Sequence, residues 1–68
     1  MSVAKVTEIK VSSPVSFDAA IKEGIERSHK TLEGIKSAWI QDQEVMVGND
    51  GKIKEYRVLM RVTFIVND

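Results

Sequence analysis

Asn49-Asp50-Gly51-Lys52-Ile53-Lys54-Glu55-Tyr56-Arg57-Val58-Leu59-Met60-Arg61-Val62-Thr63-Phe64-Ile65-Val66 is the stretch that decides the fold. It opens on Asn49-Asp50-Gly51, residues that tolerate the left-handed backbone a tight turn between antiparallel strands requires. It continues as a long alternation. Tyr56, Val58, Met60, Val62, Phe64 and Val66 share one parity, and Glu55, Arg57, Leu59, Arg61, Thr63 and Ile65 share the other. Successive side chains of a strand point to opposite faces, so the tyrosine-to-valine set is the core face and the set with the arginines is turned away from it.

Upstream of the turn, the run from Ile35 is extended and forms the other arm of the hairpin. Ala38 and Ile40 fit the core side, whereas Ser37, Trp39, Gln41, Gln43, Val45 and Val47 share the opposite parity. Trp39 therefore stands on the outer face. An indole outside the core of so small a chain points to a subunit interface or to a ligand platform.

Further back, Phe17, Ala20, Ile21, Gly24, Ile25, Ser28 and Leu32 recur at helical spacing, with Lys22, Glu23, Glu26, Arg27 and Lys30 on the far side. Ser16 is the expected N-cap, with Asp18 in the first turn, and Gly34 is the expected C′ residue that ends the helix. Ser12-Ser13-Pro14 separates this helix from a first strand over Val3 to Val11. The order of elements is strand, helix, hairpin. The expectation is one domain over residues 1–68, a β-α-β-β protomer of the α+β class with a three-stranded antiparallel sheet against one helix.

Composition explains why such a chain needs company. With 68 residues its private core supplies only a few kcal/mol, and it has no cysteine for disulfides and one histidine, too few for the usual structural zinc sets. Self-association is the remaining staple, and it would bury Trp39, Leu59 and Ile65. Ten basic and ten acidic residues are interleaved at zero net charge, so the chain lacks the basic footprint that a nucleic-acid partner demands. Neither an apolar leader at Met1-Ser2-Val3-Ala4-Lys5 nor a membrane-length apolar run is present, which makes the cytoplasm the expected location.

Chemistry-bearing residues are few. Arg57 and Arg61 share the outer face and would clamp a phosphate or carboxylate, or else form salt bridges between subunits with Glu44, Glu55 or Asp42. His29 pairs with nothing more reactive than Glu33, and Ser12, Ser13 and Ser16 are accounted for by capping, so no nucleophile–base set and no enzyme are read. Asp42, Glu44, Asn49 and Asp50 offer oxygen ligands to a hard cation but match no EF-hand spacing. No metal set is assigned within one chain, although an ion on a symmetry axis needs only one ligand from each copy.

Three blocks in register resemble the dodecin family: Val3-Ala4-Lys5-Val6-Thr7-Glu8-Ile9 with Ser12-Ser13-Pro14-Val15-Ser16-Phe17, then Ile25 to Leu32, then Tyr56 to Phe64. The resemblance spans nearly the whole chain. It implies a hollow homododecamer whose sheets wrap partly around their helices, and storage of flavin pairs (FMN, FAD or riboflavin) between twofold-related subunits, without catalysis. A family tryptophan that stacks on the isoalloxazine falls on Ser37 here, counted either from Ile35-Lys36 or back from Tyr56. A family glutamine that holds the flavin edge falls on Arg57, which donates but cannot accept. Loss of ring stacking costs about 1–3 kcal/mol. Trp39 lies two residues along the same face, displaced by about 7 Å, and is the candidate substitute platform, with a subunit-interface anchor as its rival role. Trp39, Arg57 and Ser37 are thus the expected ligand residues. Other dodecin-like proteins lack that tryptophan, carry a similar Tyr-Arg pair and are associated with cations, which makes a structural or cation-binding assembly the alternative.

Overall fold

The computed structural model describes residues 3–66; the single-domain expectation for residues 1–68 reaches past them at both ends. The elements are β1 (Val3–Ser13), α1 (Phe17–His29), β2 (Ile35–Val47) and β3 (Ile53–Val66). They form one antiparallel sheet in the order β1-β3-β2, with α1 against one face. The long alternating strand is therefore the central one.

Ser16 starts the helix as its residue type dictates: its hydroxyl accepts from the Ala19 amide at 2.9 Å, and its extended backbone (φ −170°) brings the chain in. Ser13, 2% exposed, accepts from the Val15 amide at 3.0 Å and shapes the corner before it. Replacing Ser16 by alanine orphans one amide and should lower stability by about 1 kcal/mol, readable as a lower thermal midpoint at matched protein concentration.

The helix stops sooner than Gly34 suggested. It ends at His29, and the Thr31 and Leu32 amides both turn back to the Ser28 carbonyl. Gly34 does adopt a left-handed backbone (φ 79°), but at the threshold of β2, where its carbonyl accepts from the Ile65 amide at 3.4 Å. The glycine serves the sheet and not the helix terminus.

Val58, Met60 and Val62 of β3 are fully buried, together with Ala20 of the helix. Ile9, Val11, Phe17, Ile21, Ile25, Ala38 and Ile40 pack around them, and Phe17 meets Tyr56 edge to face with ring centres 5.1 Å apart. Gly24 lets the helix approach so closely that a Cβ there would lie 2.5 Å from Val11 Cγ1.

This core is short relative to the sheet. The molecule measures 53 × 19 × 14 Å with a radius of gyration of 14.0 Å, where a compact chain of this length has about 11 Å. The distal hairpin runs beyond the helix and exposes Val45, Val47 and Ile53. Its turn is as expected: the Gly48 amide donates to the Lys52 carbonyl at 2.9 Å, Gly51 has φ 80°, and the Asp50 carboxylate accepts from the Lys52 amide at 3.0 Å.

One expectation about β2 is overturned. Ile40 pairs with Met60 but Asp42 pairs with Leu59, so Gln41 is an extra residue and the strand bulges there. Beyond it the faces exchange. Asp42, Glu44 and Met46 oppose the outer residues Leu59, Arg57 and Glu55, while Gln43 and Val45 oppose Val58 and Tyr56 on the helix side. The parity that grouped Gln43 and Val45 with Trp39 holds only up to the bulge.

Candidate functional site on the outer sheet face

The face turned away from α1 is built in rows across three strands. Val6, Thr63 and Ser37 form one; Glu8, Arg61 and Trp39 the next; then Lys10, Leu59 and Asp42; then Ser12, Arg57 and Glu44. Trp39 stands on it 68% exposed, and among the described residues its ring makes no aromatic or cation–π contact.

Charges fill the middle of the face. Glu8 Oε1 accepts from Arg61 Nε at 3.3 Å and lies 3.2 Å from its Nη2, and Lys10 reaches over β3 to Glu44 at 3.2 Å. Arg57 is held by Glu55, two residues away on its own strand. Of the salt bridges that the sequence suggested for Arg57 and Arg61 between subunits, the one with Glu55 is already closed inside one chain, while Glu44 is held by Lys10 and Arg61 by Glu8. All these pairs are at least partly exposed, and each contributes at most about 1 kcal/mol. Asp42 has no cationic partner within ion-pair distance among the described residues. It lines a cleft of about 320 Å³ with Lys10, Gln43, Glu44, Arg57 and Leu59.

The structure brings together only two of the three expected ligand residues. Ser37 and Trp39 are neighbours on β2, opposite Thr63 and Arg61. Arg57 is six residues from Thr63 along β3, about 20 Å at the usual rise. No ligand ring touches both ends within one chain. The ladder itself held this information, because pairing counted back from the Asn49-Asp50-Gly51 turn sets Ser37 against Thr63. Arg61, directly opposite Trp39, is the neighbour that parity alone did not single out.

Among the described residues no three His, Asp or Glu side chains gather as a metal set, and no helix is long and apolar enough to cross a membrane. His29 is exposed at the last helical position.

Comparison with known proteins agrees with this architecture. The family model for Dodecin matches residues 3–67. The calcium dodecin of Mycobacterium tuberculosis is 36% identical over 64 residues, covering 94% of this chain and 89% of its own length. The solved dodecin of Streptomyces davaonensis superposes with a TM-score of 0.92 at 31% identity, covering 98% of this chain and 97% of its own. A solved structure of the Mycobacterium tuberculosis calcium dodecin, described with a calcium-binding site, gives 0.84 at 33% identity over 97% and 93%. Strand order, helix placement and the match along nearly the whole sequence converge: this chain belongs to the dodecin family.

Proposed function

We propose that the chain is a non-catalytic ligand holder that works as a homododecamer, keeping a small planar molecule between copies on the outer sheet face. Flavin is the first candidate, by family resemblance. Trp39 would supply the stacking surface with Ser37 beside it, and Arg57 would come from a second copy, since one chain holds it about 13 Å along the strand from the Trp39 row and about 20 Å from the Ser37 row. The observation that carries this reading is the 68% exposure of Trp39 on the outer face. With serine at the usual stacking position, affinity for flavin falls by an order of magnitude or more unless Trp39 takes over the stacking.

A second reading has its own observation. Asp42 is swung onto the outer face by the bulge and has no cationic side chain paired with it among the described residues, and a relative carries the name calcium dodecin. A hard cation there would draw oxygen ligands from several copies, because the described residues of one chain gather no set of three carboxylates or histidines.

Size-exclusion chromatography with light scattering, recorded with flavin absorbance and repeated with calcium after chelation, tests both. The expected result is a particle of twelve times the 7.6 kDa chain mass that co-elutes with added flavin. A colourless particle whose thermal midpoint rises with calcium would favour the cation-binding reading. A folded monomer would sink both.

A further inference from the structure

Beside Trp39, the outer face offers a ligand one charged neighbour, Arg61. The two are directly opposite on adjacent strands, a pairing that sets their Cβ atoms about 5 Å apart on the same face. Arg61 is directed by Glu8: the Nε and Nη2 edge of its guanidinium faces that single carboxylate oxygen, on the β1 side away from Trp39. Of the five N–H groups a guanidinium carries, those of Nη1 have no protein acceptor among the described residues. The side chain is 46% exposed. Arg57, by contrast, is four residues further along β3, about 13 Å away, and is occupied by Glu55.

We propose that Trp39 and Arg61 form one recognition unit for a planar aromatic anion. The ring lies on the indole, and a carboxylate or similar acceptor-only edge receives the free guanidinium N–H groups. This rests on the outer-face reading above and makes Arg61 the residue that sets specificity. An arginine cannot accept a hydrogen bond, so a ring presenting donors at that edge leaves them unpaired and is rejected. The hydroxyls of Ser37 and Thr63, one row along, donate or accept and discriminate little.

Trp39 is the sole tryptophan, so intrinsic fluorescence of the intact assembled protein reports this one place. Para-nitrobenzoate and para-nitrobenzamide are a matched pair of quenching probes that differ in charge and in the donors at one edge. The benzoate should quench with an affinity about 10- to 100-fold tighter, the range of charge-assisted hydrogen bonds. Arg61→Met should erase that gap while leaving the benzamide unchanged, and Arg61→Lys should restore part of it. Equal binding of the two probes to the wild type, or an equal loss of both in Arg61→Met, would overturn the assignment and leave the outer-face reading standing. Quenching by neither probe would overturn the accessible-Trp39 reading and this proposal with it. Should Arg61→Met fail to assemble, the wild-type gap must narrow as salt is raised; a gap indifferent to salt refutes the role of the guanidinium.

Discussion

Met60→Ala should abolish the cooperative unfolding transition and leave a chain without native far-ultraviolet dichroism. Met60 is fully buried in the central strand, with its thioether end beneath Gly24 of the helix. Truncating a buried methionine to alanine removes transfer free energy and leaves a cavity, together about 2–5 kcal/mol. A core in a chain this small supplies about 3–5 kcal/mol, so the loss is comparable to everything the protomer has. Met60→Leu, which keeps the volume, should cost less than about 1.5 kcal/mol and keep the transition. If Met60→Ala unfolds cooperatively within a few degrees of the wild type, association and not the private core holds the fold.

The other large effect concerns Gly24. Alanine there gains about 1 kcal/mol of helix propensity, yet the new methyl would sit 2.5 Å from Val11 Cγ1 and 3.1 Å from Met60 Cε. Methionine can swing aside; Val11 cannot, because a β-branched side chain is stiff at its first torsion and its strand is locked to β3. Overpacking of this kind costs about 1–3 kcal/mol, so with the propensity gain subtracted Gly24→Ala should be destabilising by up to about 2 kcal/mol. The decisive comparison is the double variant. In a Val11→Ala background the same glycine substitution should become neutral or favourable, a coupling of at least about 1 kcal/mol in chemical denaturation. Additive effects would mean that the helix shifts off the strand without strain.

The burial of Val58, Met60 and Val62 and the exposure of Trp39 follow from alternation alone, because a half-buried strand has no freedom to place its side chains otherwise. The hydroxyl of Ser16 and the Asn49-Asp50-Gly51 turn are equally local and were readable for the same reason. The helix end was not, since Gly34 has the backbone a C′ glycine needs but spends it on the corner into β2. Gln41 carries no signature of a bulge: it is neither glycine nor proline, and its odd place shows only in the pairing with β3. Of the candidate site, the face was legible. The separation of Arg57 from Ser37 required counting rungs, and the pairing of Trp39 with Arg61 required the register that results.

The bulge at Gln41 divides the middle of β2, Ser37 to Met46, into two reading frames. From Ser37 to Ile40 the even positions face the helix; from Asp42 to Met46 the even positions face away. Deleting that single residue would merge the frames and turn Asp42 and Glu44 inward while Gln43 and Val45 turn out, inverting the chemistry of half a surface without changing one remaining side chain. Length changes in this hairpin are therefore of two unlike kinds. A pair of residues added across the turn lengthens the arm, whereas one residue added or lost in β2 rewrites which face carries the acids.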